Sequence, residues 1–340
     1  MGLSKGGGGT GAYTFWAEHT NQHGGITVNG TCYRVALQVR DDGNNITRRR
    51  FLLRELAEQG AHVLFGGHTS GVDELASVAA AYRLPALTPE QAPDAAYRGR
   101  PMLFGVAGSP EDTQYEFLLR AKMQGASRVA LLANSGTSLN VAVCAAAAQQ
   151  ATSLGLQVVY QGTYANTADQ AEHDALVADM MLARPEALVG CSLDPDSLLV
   201  ARALIANDVL LGAIPPARPA RGRGSIHAAW KGSIPAFVSS KVLRFVFITT
   251  GPGRETNWRT KLGAYAHGFA TTVMWHHELH PDEFDPYFGS AAAVTSGWRK
   301  RSDFGNGEVL GWQAAASIAV GVVFQAGVEA AGSVDGLKAG

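Results

Sequence analysis

This sequence predicts an α/β fold built as two lobes, each with its own doubly wound parallel sheet, and three observations predict it. Short apolar runs bounded by Gly and Asp/Asn turns alternate with helical spacing of apolar residues, as in Arg128 to Ala133, Leu139 to Leu154 and Gln157 to Tyr160. The alternation restarts partway along the chain, giving two successive blocks of three or more βα units. The 340 residues suffice for two domains, and a composition of 17% charged and 46% hydrophobic residues is that of a globular protein.

The first helix is marked by Ala12, Phe15, Trp16 and Thr20 and ends at Gly24-Gly25. Arg34 to Val39 is bounded by Gly and by Asp41-Asp42-Gly43 and is expected to be a strand covered by helices. Thr47 to Gly60 is predicted helical, with Phe51, Leu52 and Leu56 inward and Gly60 as its left-handed cap. His62 to Phe65 is the next strand and runs into Gly66-Gly67-His68-Thr69-Ser70-Gly71. A helix with Leu75, Ala76, Ala79 and Ala80 follows, then strands at Leu84 to Leu87 and Met102 to Val106. Ser109-Pro110-Glu111-Asp112 reads as the capped start of a helix that carries Tyr115, Leu118 and Leu119 inward and stops at Gly125.

In the second block, Arg128 to Ala133, Gln157 to Tyr160, Ala187 to Val189 and Val209 to Leu211 are expected strands. Leu139 to Leu154, Asp169 to Leu182 and Asp196 to Ala206 are expected helices. The rhythm fails over 214–241, four of whose residues are prolines in PPARPARGRGSIHAAWKGSIPAF; this reads as an inserted loop, with an arginine patch for an anionic partner as its functional alternative. Strands at Leu243 to Ile248 and Phe269 to Trp275 and two closing helices complete the chain. The expected division is 1–126 plus 274–340 for one lobe and 127–273 for the other.

Several chemistries are weighed and set aside. A net charge of −1 gives no reason for a nucleic-acid partner. Cys32, Cys144 and Cys191 are far apart with no CxxC pair; Cys144 and Cys191 read as small buried hydrophobes rather than a disulfide framework. Met1 to Gly11 has no apolar core of a secretory signal. Val309 to Ala331 carries Gln313, Ser317, Gln325 and Glu329 and reads as a buried helix rather than a membrane span. Gly6 to Gly11 fits GxGxxG but follows no strand, so no dinucleotide cofactor is expected. His276-His277-Glu278-Leu279-His280 fails HExxH because Pro281 stands at the second His position, and no metal is expected. No GxSxG elbow is present, and Cys191 lacks a partner for nucleophilic catalysis.

The runs Phe15-Trp16, Asn21-Gln22-His23-Gly24-Gly25-Ile26, Asp41-Asp42, Gly66-Gly67-His68-Thr69-Ser70 and Leu103-Phe104-Gly105-Val106 carry a resemblance. So do Arg128-Val129-Ala130-Leu131-Leu132, Arg184-Pro185-Glu186-Ala187-Leu188, Tyr287-Phe288-Gly289 and Gln325 to Asp335. In order and spacing these resemble type I periplasmic binding proteins, in the leucine/isoleucine/valine-binding branch of ABC transporter components. The resemblance implies two lobes joined by crossing strands that close on a small-molecule ligand, an amino acid or amide-like solute, without chemistry. It implies an extracytoplasmic location and a membrane transporter as partner. The alternative is an extracellular ligand-sensing domain cut from a membrane receptor of the cyclase or kinase type. Lacking an opening strand and a closing crossing segment, the chain reads as truncated at both ends.

In that family a ligand carboxylate is held by hydroxyls and N–H groups at a helix N-terminus. Thr69 and Ser70 occupy the corresponding place, as ligand contacts or as caps of the helix that follows. Elsewhere the pattern departs. Pro89-Glu90-Gln91-Ala92-Pro93 replaces the small-hydroxyl loop, making Glu90 and Gln91 candidates. Asn134-Ser135-Gly136-Thr137 lacks the expected aromatic, leaving Ser135 and Thr137 as candidates. Ser192-Leu193-Asp194 lacks the other aromatic, and the acid that pairs with an amino group has no counterpart near Gly251-Pro252-Gly253. Glu90 or Asp194 is the candidate for that charge, with a solvated loop acid as the default reading of either.

Overall fold

Ala12, Tyr13, Phe15, Trp16, Ala17 and Thr20 are buried along one side of α1 (Gly9–Gln22), which is where their spacing puts them. The computed structural model describes residues 9–68, 71–211, 242–250, 255–273, 275–276, 278, 283–301 and 310–333. It divides into two units, Met1–Ser109 with Val273–Gly340, and Pro110–Thr272. Thr69, Ser70, the Gly251-Pro252-Gly253 turn and the 214–241 segment lie outside the described residues.

In unit 1, α1 leads to an antiparallel hairpin of β1 (Ile26–Val28) and β2 (Thr31–Tyr33). The strand expected at Arg34 to Val39 does not form: the segment pairs with no strand among the described residues. It still lays Val35 and Leu37 on the core, while the Asn21 side chain bonds both the N–H and the C=O of Val35. One amide thus stands in for a ladder partner at that residue.

Asn45 caps α2 (Ile46–Glu58) by accepting from the Arg48 N–H at 3.0 Å. The inward face of α2 is Leu53, with Leu56 and Ala57, whereas Phe51 is 67% exposed, so the expected face was rotated toward solvent. Gly60 takes its predicted left-handed conformation at φ 86°. β3 (Leu64–Phe65), α3 (Val72–Tyr82), β4 (Ala86–Thr88) and β5 (Leu103–Gly105) then build a parallel sheet in the order β3-β4-β5. Their apolar residues share one core with Leu53 of α2 and Val72, Leu75, Val78 and Ala79 of α3.

Unit 2 opens with a 3-10 turn at Pro110–Asp112, and α4 (Tyr115–Met123) starts only after it. The helix expected from Ser109 is thus split, and Tyr115 points outward at 39% exposure while Leu118 is buried. From there the alternation is regular. β6 (Arg128–Asn134), α5 (Ser138–Ser153), β7 (Gln157–Tyr164), α6 (Gln170–Leu182), β8 (Ala187–Cys191) and α7 (Asp196–Ala206) follow in turn. β9 (Leu210–Leu211) pairs with β10 (Val242–Leu243), and β11 (Phe245–Ile248), α8 (Glu255–Leu262) and β12 (Phe269–Ala270) complete the unit.

The five-stranded sheet β12-β11-β8-β6-β7 is parallel throughout. Its strands are apolar on both faces because helices cover both. Leu132, Leu188 and Val246 pack with Val177 and Met180 of α6 and Leu198 and Leu204 of α7. Val129, Leu131, Val189 and Phe247 face the other way, onto Leu118 of α4 and Val143, Ala147 and Ala151 of α5. The period-2 alternation sets this division.

The chain then returns to unit 1 with β13 (Phe284–Asp285), β14 (Gly289–Ser290), α9 (Ala291–Arg299) and α10 (Trp312–Ala331). α10 is long and apolar enough to cross a membrane. Here it buries Ala314, Ser317, Ile318, Val320, Gly321, Gln325 and Val328 in unit 1. The Trp16 ring stands where any Cβ at Gly321 would lie, so this contact requires glycine.

Candidate functional site

The sheet order of unit 2 places its topological switch at β6 and β8, from which the chain proceeds to opposite sides. In open parallel sheets the loops at the carboxyl ends of such strands form the ligand crevice. Here those loops carry a buried polar cluster. Asn134, the last residue of β6, donates its Nδ2 to Asp196 Oδ2 and accepts the Gly136 N–H at 2.7 Å. Asp196 opens α7 and is 8% exposed. Ser192, Ser197 and Thr250 form a hydroxyl chain with steps of 3.1 and 3.2 Å, and Thr250 also donates to the Ser192 carbonyl. The hydroxyl of Tyr164, which ends β7, is buried beside Ser192 without a hydrogen-bond partner among the described residues; burial first, and then the Asp196 charge, push its phenol well above the ordinary tyrosine range.

Asn140, in the first turn of α5, is fully buried, and neither atom of its amide has a hydrogen-bond partner among the described residues. The same holds for Thr137 Oγ1 at the N-cap of α5, where the hydroxyl makes no capping bond. Buried amides and hydroxyls ordinarily have partners, so these atoms are suited to an added polar group. Ser135 is committed elsewhere: its N–H and hydroxyl both donate to the Tyr164 carbonyl, at 2.8 and 3.0 Å. Asp194 is half-buried ahead of the cis peptide to Pro195, on the approach to α7.

A disulfide joins Cys144 of α5 to Cys191, the last residue of β8, with Cα atoms 5.8 Å apart. This corrects the expectation of two buried thiols. The fold brings the second turn of α5 over the end of β8, and both sulfurs are buried beside that cluster. A separation of 47 residues contains no hint of that proximity. Cys32 is the exposed free cysteine.

In unit 1 the loop at the carboxyl end of β4 carries the acid Glu90, next to the start of α3. α3 has Gly71 at its N-cap, a residue with no side chain to satisfy the first N–H groups. Glu90 lies near that end of the helix. Burial raises its carboxyl to about 7, overriding the Gly71 and Val72 N–H groups and the nearby Arg49 charge, which lower it; Asp73 adds to the rise. Arg49 packs where a Cβ at Gly71 would lie and is paired at 2.5 Å with the fully buried Asp42. Arg50 pairs with Glu74 and Arg100 with Asp73, at 3.5 and 2.6 Å.

The loop itself is fixed by neighbours. Glu90 N–H donates to Thr88 Oγ1, and Tyr97 Oη donates to the Glu90 carbonyl. Tyr13 Oη bonds the Gly66 carbonyl at 2.8 Å, and His68 Nε2 lies 2.9 Å from Ser317 Oγ. Burial lowers His68 to about 4, so it is neutral at physiological pH. Gln91 is half-buried beside Glu90. A cavity of about 310 Å³ opens on the same edge, lined by Ala92, Tyr97, Phe104 and Gly105 among others.

Thus Glu90 and Gln91 belong to the unit 1 edge, and Ser135, Thr137 and Asp194 to the unit 2 edge. Thr69 and Ser70 are outside the described residues. Sequence reasoning missed Asn134, Asn140, Ser192, Ser197, Asp196 and Thr250. All except Asn140 lie at or just past a strand end or open the following helix, a positional signal that could have found them. Of the metal-type cluster, His276, Glu278, Glu283 and Asp285 are described, and no group of three metal-type side chains comes together among the described residues.

Two α/β units, each with polar loops at the carboxyl ends of parallel strands, define the class of type I two-lobed binding folds. The chain belongs to the periplasmic binding protein family, whose model matches residues 4–240. No curated protein sequence matches it. Among solved structures it is similar to the leucine binding protein LivK from Thermotoga maritima, at 16% identity and TM-score 0.68, covering 98% of this chain and 83% of that one. It is also similar to a leucine-, isoleucine-, valine-, threonine- and alanine-binding protein from Brucella ovis, at 14% identity and TM-score 0.69, covering 93% and 70%. A third is an ABC transporter solute binding protein from Rhodopseudomonas palustris in complex with 3,4-dihydroxy benzoic acid, at 15% identity and TM-score 0.67, covering 96% and 78%.

Proposed function

We propose that this protein binds a small polar solute without transforming it, in the service of ABC-type uptake, using the carboxyl-edge loops of its units. The observation that carries this reading is the unit 2 cluster, where the wholly buried Asn140 amide and the Thr137 hydroxyl have no partner among the described residues. A solute with donors and acceptors satisfies both groups, whereas an apolar one leaves their desolvation uncompensated. The positioned side chains are amides, hydroxyls and carboxylates, a set made for holding rather than for nucleophilic attack. The similarity to leucine-binding and branched-chain amino-acid-binding proteins and to a solute binding protein in complex with 3,4-dihydroxy benzoic acid supports the solute class.

Family membership supports a transporter-bound role and an extracytoplasmic location, and the Cys144–Cys191 disulfide suits an oxidising compartment. The test is a thermal-shift screen of the chain against amino acids, amino-acid amides and small aromatic acids and amides. A saturating solute is expected to raise Tm, and Asn140→Leu to remove that rise while the chain still folds. Thr69→Ala with Ser70→Ala is expected to weaken it as well. A rise unchanged in Asn140→Leu would reject the unit 2 site.

A further inference from the structure

We infer that the start of α5 is an anion seat: it takes a solute carboxylate that has a hydrogen-bond donor on the adjacent carbon, as in an α-amino or α-hydroxy acid. This rests on the solute-binding reading and narrows it.

α5 starts without a cap of its own. Its first intrahelical bond runs from the Val141 N–H to the Thr137 carbonyl at 3.2 Å. The N–H groups of the three residues between them must therefore be satisfied from outside the helix. The Thr137 hydroxyl is buried and makes no capping bond, and the first turn holds no acid. The neighbouring helix starts bring their own carboxylates. The Asp169–Glu172 capping box closes α6, and α7 opens on Asp196, to which Asn134 donates. An uncapped helix start without an acid favours negative charge through its dipole and its donors.

The second observation is independent of the helix end. Asn140 is fully buried, and both atoms of its amide lack a partner among the described residues. The register of α5 sets where this amide lies. Val143, Cys144, Ala147 and Ala151 form the stripe that α5 lays on the sheet, and Asn140 extends that stripe by one turn toward the N-terminus. Cys144 is bonded to Cys191, the last residue of β8, which pairs with Ala133 of β6. One turn is about 5.4 Å, and helical side chains lean toward the N-terminus. The Asn140 amide is thus placed past the strand ends, at the β6–β8 switch, where Asn134 and Ser192 continue the two strands.

A carboxylate in this place accepts from the helix N–H groups, the Thr137 hydroxyl and Asn140 Nδ2. Asn140 Oδ1 is itself an acceptor and needs a donor from the same guest. An ammonium or hydroxyl on the adjacent carbon supplies it. A primary amide brings no charge to the helix start, and a simple carboxylate leaves Oδ1 unpaired in a buried setting. Ser135 and Gly136, the loop just before the helix, are exposed and give the approach.

The experiment is calorimetric titration of the full chain with leucine, 2-hydroxy-4-methylpentanoate, 4-methylpentanoate and leucinamide. The first two are expected to bind at least ~10-fold more tightly than the last two. Asn140→Asp and Thr137→Asp each put a fixed carboxylate into the seat. Each is expected to raise the Tm of the solute-free chain by about 2–4 °C and to weaken both favoured acids at least ~10-fold. The half-buried Thr137 position keeps the test alive if Asn140→Asp does not fold. Leucinamide or 4-methylpentanoate binding as tightly as leucine would overturn the assignment while leaving solute binding intact, and so would acids that bind the folded variants unchanged. If none of these probes binds the natural chain, the solute-binding reading loses them as ligands and the melting curves alone decide the seat. A rise in Tm then supports it, and a fall in both variants, as for a charge buried without donors, overturns it.

Discussion

Glu90 and Glu186 sit at opposite kinds of sheet edge and have opposite fates. Glu186 lies at the amino edge of the unit 2 sheet, just before β8. Its carboxylate takes the Ser127 N–H and hydroxyl, the Arg128 N–H and the Arg244 guanidinium. Burial alone would raise its carboxyl, but these donors outweigh burial and hold it below the ordinary glutamate range. Glu90 has only the nearby Gly71 and Val72 N–H groups and an already paired arginine to lower it, so burial wins and the carboxyl rises. Saturated with donors, a carboxylate fastens a structure; undersupplied, it is a group with capacity left for a guest. Within unit 2 the carboxyl edge likewise holds the Asn140 amide, which has no partner among the described residues.

The largest effect that would sharpen this contrast lies in the crosslink. Replacing Cys144 and Cys191 with alanine removes a 47-residue loop constraint, worth about 4 kcal/mol on a chain-entropy account. Urea denaturation should show it in the transition of unit 2, and an unchanged midpoint would contradict it. In unit 1, Gly321→Val drives a side chain into the Trp16 ring and is expected to cost about 1–3 kcal/mol by the same measurement.

The glutamates then give changes of opposite sign. For Glu90 the folded pKa, about 7, lies above the unfolded value. Its contribution is therefore complete below about pH 4.5 and is lost as pH rises through about 7. Glu90→Gln should gain about 1–3 kcal/mol on the natural chain between the two ends of that window, read as Tm against pH. For Glu186 the folded pKa is depressed, so its stabilisation is present above the unfolded value and is lost as pH falls through the folded one. Glu186→Gln should cost about 1–2 kcal/mol at neutral pH and less in acid. Two variants shifting in the same direction would break the comparison. The smallest effect is Asn45→Ala, which removes the α2 cap at about 1 kcal/mol.

The regular part of the fold was legible because its signals are local. Val129 to Ala133 and Ala187 to Val189 are continuous apolar runs, and Asp169 sits in a complete capping box with Glu172. What failed depends on distant partners. Arg34 to Val39 has a strand's composition but no pairing neighbour among the described residues, and Phe51 has a helix position that its partners leave exposed. The disulfide and the Asn134–Asp196 contact likewise join residues that only the β6–β8 pairing brings together. Glu90 and Thr137 stand out in the sequence because they lie in loops between predicted elements; Asn140 does not, because it lies inside a predicted helix.

The central claim is that a polar solute seats on the carboxyl-edge groups. An amide cross-peak titration of the 15N-labelled chain with the panel of amino acids and amino-acid amides tests it most directly. The account predicts saturable shifts at Gly136, Asn140 and Ser192 and at Gly71 and Glu90. Saturable shifts confined to other surfaces, or none from any member, would contradict it.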